Sequence, residues 1–384
     1  MEHVEQSAEE HALGMSDYVE KGVARAKGLG NRGPIAFDEC GKLTQEILDA
    51  YWRTGFYIFQ GGIKSAELGA LRTEMTDLLD RAPIDNGAQV DRKGRPAYGQ
   101  EFARPVYSMV RPLADPWGGT AALNGRHPTK MSQPVRGSER EQKVVFIMSG
   151  MCQTMSSGLR LYGHPSLLAI AASINGDDFV PYNDATFVKQ PRVGGSVSWH
   201  QDGVTHWNAE NWDEGIHGFN FQVQLYDTSS RSCLWVVPGS HKLGKIDIKS
   251  KIAANDNSEQ LPDAVPLFCD AGDVTIVNRQ ALHGSFANTS SDLRVSLTFG
   301  FHRRGSVLGA KGALSEDEAV VYDEARIEQR SEVIGIAIDA RSQFYPNEEA
   351  YKYQPIAGRE QQLLFNQANW QRVIKDYNLK DLSI

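Results

Sequence analysis

Apolar positions change their spacing along the chain, and the changes divide it. After Thr44, the residues Ile47, Leu48, Tyr51 and Trp52 follow helical spacing, so a helix is predicted with Thr44 as its cap and Gly55 at its end. The next run, GFYIFQGG, reads as a short strand. Ser65 then caps a second predicted helix with Leu68, Leu71, Met75, Leu78 and Leu79 on one face. A further helix is predicted in HPSLLAIAASING, with Pro165 near its first turn and Gly176 past its end.

Between Asp184 and His302 the period becomes that of strands. ATFVKQ, FNFQVQLYD, CLWVVPG, AVPLFCD, DVTIVN and RVSLTFGFH are short runs separated by Gly, Pro, Asn, Asp or Ser, which predicts an antiparallel sandwich or barrel. Other stretches lack such a period. Residues 1–42 are polar and glycine-interrupted and read as an arm or partly ordered extension. Residues 82–142, rich in Gly, Pro and Arg, read as a cover over a pocket, because a loop of this length has to lie against something. From 305 to 384 the chain looks mixed and mostly helical, as in EQQLLFNQANWQRVIKDY.

Composition narrows the partners. The 384 residues are 41% hydrophobic and 23% charged, ordinary values for a globular protein with a substantial core. A net charge of -8 with no basic stripe argues against nucleic acid and against an acidic membrane surface. The start carries acids instead of a basic segment, and no run approaches roughly 18 apolar residues, so a cytoplasmic location is expected. Cys40, Cys152, Cys233 and Cys269 are far apart and suggest neither a zinc knuckle nor a disulfide scaffold.

The chemistry concentrates in SWHQDGVTHW. His200 and Asp202 lie two apart, so on an extended strand end both side chains emerge on one face and can share a metal. His283, at the end of a strand-like run, offers a third ligand. Two imidazoles and a carboxylate on one face of an octahedral ion leave open positions, the arrangement expected of non-haem Fe(II) oxygenases. Eleven residues after His283 comes Arg294, with Ser296 on the same strand face. A guanidinium binds a carboxylate through two parallel hydrogen bonds and a hydroxyl adds one more, so the site is equipped for a dicarboxylate. A cupin-like isomerase or hydrolase would use the same ligands without O2, but it gives Arg294 no required role. A non-catalytic barrel leaves the three ligands unexplained.

Taken with VVPGSHK at 236 to 242 and AGDVTIVNRQALHGSFANTSSDLR at 271 to 294, these residues resemble the phytanoyl-CoA dioxygenase (PhyH-like) family of Fe(II)- and 2-oxoglutarate-dependent oxygenases. The resemblance runs from about Leu43 to Arg303. It implies a mainly β fold with flanking helices around a double-stranded β-helix, a jelly roll over 43–304 with the 82–142 segment covering it. Residues 305–384 would then be a C-terminal extension packed on the same domain, a candidate surface for homo-oligomer formation. It implies His200, Asp202 and His283 as iron ligands and Arg294 as the partner of the distal carboxylate of 2-oxoglutarate. Ser296, Ser285 and Gln201 stand at matching or adjacent positions as further co-substrate contacts, and Asn288 as a residue that orders the turn. Phe221 occupies the place where some relatives carry a co-substrate-contacting tryptophan. The reaction implied is hydroxylation or desaturation of a small organic molecule with O2, releasing succinate and CO2.

Further residues are candidates for the pocket. Lys189 and Arg192 stand on or after a strand that should face the cavity, Lys189 as a co-substrate contact and Arg192 on the substrate side. His206 and Trp207 follow the ligand pair as substrate-wall candidates, with Trp199 and Trp212 as further aromatics. Of Arg279 and Gln280, strand alternation admits one to the cavity. His241 in PGSH is expected to hold a turn.

Overall fold

The computed structural model describes residues 7–134, 142–202, 218–315 and 318–377. Twelve strands build the body: β1 (Arg32–Gly33), β2 (Phe56–Phe59), β3 (Tyr107–Val110), β4 (Val144–Ser149), β5 (Val180–Lys189), β6 (Val197–His200), β7 (Gly218–Gln224), β8 (Leu234–Val236), β9 (Val265–Leu267), β10 (Val274–Asn278), β11 (His283–Ser285) and β12 (Arg294–His302). They form an eight-stranded sheet in the order β1-β2-β10-β7-β12-β5-β4-β3 and a four-stranded sheet in the order β6-β11-β8-β9. Pairing is antiparallel except for the short β1–β2 contact. A separate hairpin, β13 (Lys311–Ser315) and β14 (Glu318–Val321), follows. The jelly-roll expectation is met.

Alternation gives the large sheet two unlike faces. Phe219, Phe221 and Val223 of β7, with Val295, Leu297, Phe299 and Phe301 of β12, join a core that includes Leu161, Tyr162, Leu167 and Ile170 from the helices Ser156–Tyr162 and Pro165–Asn175. Asn220 and Gln222 of β7, with Arg294 and Thr298 of β12, point the other way and line a cavity between the sheets. The predicted helices appear as Gln45–Thr54, Ser65–Asp80 and Pro165–Asn175. Strand β4 was not anticipated, although VVFIM is a continuous apolar run of strand length.

The N-terminal stretch differs from its sequence reading, and the C-terminal one does so in part. The stretch expected to be an arm contains the helices Ala8–Gly14 and Ser16–Lys27. Tyr18 stacks on Trp235 of β8 at 4.4 Å between ring centroids, and a Cβ on Gly22 would lie 2.8 Å from the same indole. Met15, Tyr18 and Gly22 carry a helical spacing that the polar composition masked. Near the other end, the helix Glu324–Phe344 buries Val333, Ile334 and Ile336 in the main core. Arg341 fixes it to the helix Ser65–Asp80 through Glu67, with Nη1 at 2.6 Å from Oε1. EQQLLFNQANWQRVIKDY, expected to be helical, is broken into the short turns Glu360–Gln362, Gln367–Asn369 and Trp370–Ile374. Asn366 caps one of them by accepting from the Asn369 N–H, so a new turn starts where a continuous helix would have run on. No helix among the described residues is long and apolar enough to cross a membrane.

Gly55 ends the first predicted helix at φ +83°, and its missing Cβ would lie 2.5 Å from Nδ1 of His241. The His241 Nε2 lies 3.1 Å from the Trp52 carbonyl, so the turn after β8 is tied to that helix end as expected of this histidine. Gly55→Ala should lower stability by at least ~1–2 kcal/mol from the left-handed backbone alone, read as a fall in the urea midpoint. Burial pulls the His241 imidazole down to about 4. The folded ring stays neutral while the unfolded one takes a proton below about pH 6.5. Its share of stability is therefore complete above that pH and is lost as pH falls toward about 4, at up to ~1.4 kcal/mol per pH unit. His241→Gln should flatten the dependence of unfolding free energy on pH in this window. An unchanged slope would mean that the folded ring is protonated.

Candidate metal centre

Strand register builds the centre. In the small sheet, His283 of β11 sits directly opposite His200 of β6, and their ring centroids are 4.1 Å apart. Asp202 follows two residues after His200, and its backbone N–H donates to the Arg279 carbonyl at 2.7 Å. One ligand atom from each of His200, Asp202 and His283 lies within 4.8 Å of the other two. His200 Nε2 is 3.6 Å from Asp202 Oδ1, and His283 Nε2 is 3.8 Å from Oδ2.

Both imidazoles are oriented by the backbone. His200 Nδ1 is 2.8 Å from the Ser198 carbonyl and His283 Nδ1 is 2.9 Å from the Ala281 carbonyl. A carbonyl can only accept, so each Nδ1 carries the proton and each Nε2 presents its lone pair toward Asp202. Burial, then the neighbouring imidazoles and Arg126, hold His200 well below its usual pKa, in the neutral form that ligates. Burial by itself would raise the Asp202 carboxyl, but Arg126, His283 and Arg279 outweigh it and keep the group below the usual range. Three buried groups with convergent lone pairs and one negative charge fit a divalent cation.

Around them stand residues that the sequence reading had not assigned. Asn220 Nδ2 donates to Asp202 Oδ2 at 2.9 Å, and Arg126 Nη1 lies 3.2 Å from Asp202 Oδ1. His127 is buried and stacks on His200 at 4.2 Å between centroids, tilted by 31°. Burial pushes its pKa down to about 3. Arg126 and His127 come from the 115–131 loop, which is closed by Asp115. One oxygen of that carboxylate accepts from Gly118 N–H at 2.9 Å and the other from Met131 N–H at 2.8 Å. Trp117 and Leu123 of the same loop also line the cavity.

The cavity measures about 250 Å³ and reaches from the three ligands to Arg294. Arg294 is fully enclosed: Nε donates to Ser296 Oγ at 3.0 Å and Nη1 to the Ser232 carbonyl at 2.9 Å, while Nη2 is 3.4 Å from Gln222 Oε1. Ser296 Oγ donates onward to Gln224 Oε1 at 2.7 Å. No carboxylate pairs with Arg294 among the described residues. Ser285 is also at the cavity wall.

Several expected pocket residues lie elsewhere. Gln201 points away from Asp202, as strand alternation requires, and its amide is used up on the Gly244 and Gln280 carbonyls and the Ile246 N–H. Trp199 packs with Met131 and Trp235 in a second core and donates Nε1 to the Glu259 carbonyl at 2.7 Å. The Lys189 ammonium donates to the Gly195 and Phe286 carbonyls at 2.5 and 2.7 Å, which ties a loop instead of facing the cavity. Arg192 sits exposed on a turn at φ +63°. Phe221 is turned into the apolar core, so no co-substrate contact comes from that position. His206, Trp207 and Trp212 fall outside the described residues. Arg279, and not Gln280, lines the cavity. Asn288 orders its turn by donating to the carbonyls of Lys189, Gln190 and Asp292.

The family described as phytanoyl-CoA dioxygenase (PhyH) matches residues 51–296. A phytanoyl-CoA dioxygenase from Arabidopsis thaliana is 31% identical over 268 residues, 66% of this chain and 87% of that protein. Ectoine dioxygenase from Halomonas elongata is 24% identical over 298 residues, 72% of this chain and 75% of that protein. With phytanoyl-CoA dioxygenase 1 from Oryza sativa subsp. japonica the identity is 31% over 117 residues, which spans 40% of that protein and 29% of this chain. Among solved structures, EctD from S. alaskensis with 2-oxoglutarate and 5-hydroxyectoine superposes with a TM-score of 0.48 at 15% identity, over 71% of this chain and 82% of that one. The chain belongs to the phytanoyl-CoA dioxygenase family and is an Fe(II)- and 2-oxoglutarate-dependent oxygenase with His200, Asp202 and His283 as its metal-binding triad.

Proposed function

We propose that the protein hydroxylates or desaturates a small organic substrate in the cavity between the sheets, with 2-oxoglutarate held at Arg294. The observation that carries this reading is a buried arginine without an acidic partner among the described residues, at one end of a cavity whose other end holds the three metal ligands. A buried cation of this kind lowers its free energy by taking a carboxylate, and a guanidinium takes it bidentately. Ser285 lines the cavity and is the hydroxyl proposed to add a hydrogen bond to the co-substrate, whereas Ser296, whose hydroxyl donates to Gln224, supports Arg294 by accepting from its Nε. The loaded site supplies the two-electron oxidation of the substrate by O2, with 2-oxoglutarate leaving as succinate and CO2.

The chain's own residues do the rest. The Ser198 and Ala281 carbonyls hold the two imidazoles in the ligating tautomer. Asn220 fixes the rotation of the Asp202 carboxylate from one side. Trp117, Phe187 and Ile147 give the cavity an apolar wall that keeps water from the reacting carbon. A cavity of about 250 Å³ favours a small substrate over a bulky one. A cytoplasmic location is part of this reading, and the surface of the C-terminal extension is where a homo-oligomer would form.

Under anaerobic conditions, Fe(II) with 2-oxoglutarate should give a visible charge-transfer band that His200→Ala or His283→Ala abolishes. Iron-loaded, folded protein without the band would reject the reading. Arg294→Ala should weaken 2-oxoglutarate binding by about 3–5 kcal/mol while leaving iron affinity nearly unchanged, as measured by calorimetry. Asn220→Ala should lower metal affinity by roughly 10–100-fold in a competition titration with a chelating dye. An unaltered affinity would show that Asn220 does not orient the ligand.

A further inference from the structure

The charged side chains that line the cavity among the described residues are Arg126, Arg279, Arg294, Asp184 and Asp202. Most already have fixed duties. Asp184 accepts from the Gly150 and Met151 N–H groups at 2.7 and 2.8 Å and from the Tyr162 hydroxyl at 3.1 Å. Arg279 Nη1 sits 2.7 Å from His302 Nε2. Arg294 is the cation for the co-substrate. Arg126 differs from these in that its ion pair is with a metal ligand; its Nε is also buried without a hydrogen-bond partner among the described residues.

The oxygen that Arg126 approaches, Asp202 Oδ1, is also the one nearest His200 Nε2. A divalent cation held by the triad competes for that oxygen and repels the guanidinium at the same time. The base of Arg126 cannot move far, because Asp115 clamps both ends of its loop and the Gly119 N–H donates to the His127 carbonyl at 2.8 Å. The side chain is left to turn toward the cavity that it already lines. Charge points to what it meets there. Fe(II) and the 2-oxoglutarate dianion cancel, and among the described residues three arginines against two aspartates leave one positive charge in the loaded cavity.

We propose that Arg126 is a metal-released anchor for a carboxylate on the substrate, which makes the substrate a small organic monoacid. The proposal rests on the reading of the triad as a metal site between the sheets. A single guanidinium matches one carboxylate bidentately, and among the described residues Arg279 is engaged by His302 and Arg294 by the co-substrate, so no second cation is left for a phosphate dianion. The metal thus prepares the substrate site as well as the oxidation. Substrate would bind productively only to loaded enzyme.

Calorimetry with propionate and propionamide tests this, on metal-free and Zn(II)-loaded protein, in the unaltered chain and in Arg126→Gln and Arg126→Lys. Zn(II) loading should tighten propionate binding about tenfold, a coupling in the usual range, without tightening propionamide. The coupling should vanish in Arg126→Gln and partly persist in Arg126→Lys. Undiminished coupling in Arg126→Gln would put the carboxylate on the metal itself and overturn the proposal, as would equal gains for acid and amide. Failure of Arg126→Gln to hold Zn(II), measured as metal content, would limit Arg126 to supporting Asp202 and would overturn it too. Zn(II) supports no O2 chemistry, so loss of the Fe(II) band with the coupling intact rejects the oxygenase reading alone, and the converse rejects the anchor alone.

Discussion

The pairing of His283 opposite His200 across β11 and β6 is the constraint on which the rest depends. A slip of one residue between these strands would turn one imidazole to the other face of the small sheet and dissolve the triad. The register is held at several points. Ser240 Oγ accepts from the Leu282 N–H at 2.8 Å, the Val237 N–H donates to the Leu282 carbonyl at 2.9 Å, and Val236 pairs with His283 on the far side. The carbonyls that orient the two rings belong to residues 198 and 281, each two positions before its histidine. Backbone geometry therefore sets the tautomer as well as the position.

The large sheet solves a different problem, which is how to bury polar chemistry inside a stable fold. Its helix-facing side is continuous hydrocarbon and aromatic surface, and its cavity-facing side carries Arg294, Gln222 and Asn220. These groups are buried, so each must find a partner or cost stability. Arg294, Ser296, Gln222 and Gln224 bond largely to one another, and Asn220 bonds to Asp202. The network is satisfied except in what matters for function: among the described residues, Arg294 has no anion. Helices at both ends of the chain buttress this arrangement, through Tyr18 on Trp235 and Arg341 on Glu67.

Much of this was legible in the sequence, for identifiable reasons. His200, Asp202, His283 and Arg294 sit on or beside short strands, where a spacing of two fixes the face, and the chemistry of three ligands plus an arginine is specific. FNFQVQ also carried its message, since alternation separates Asn220 and Gln222 from the phenylalanines, but those amides had no motif to single them out. Gln201 and Trp199 lie off the cavity because alternation along the strand, and not proximity to a ligand in sequence, sets the face of each side chain. Lys189 does share a strand face with Arg294, yet its long side chain reaches past the cavity to loop carbonyls. Arg126 and His127 were hidden in an aperiodic loop whose shape depends on Asp115 and on contacts such as that of Ser132 with Glu259, far along the chain. Long-range fixation of this kind leaves no local pattern.

The central claim is that the triad and Arg294 form one site that couples O2 to 2-oxoglutarate. Mass spectrometry of the succinate formed by iron-loaded protein under labelled 18O2 tests it most directly. One 18O atom is expected in each newly formed succinate, with loss of that product in Asp202→Ala. Succinate that forms without label, or labelled succinate undiminished in Asp202→Ala, would contradict it.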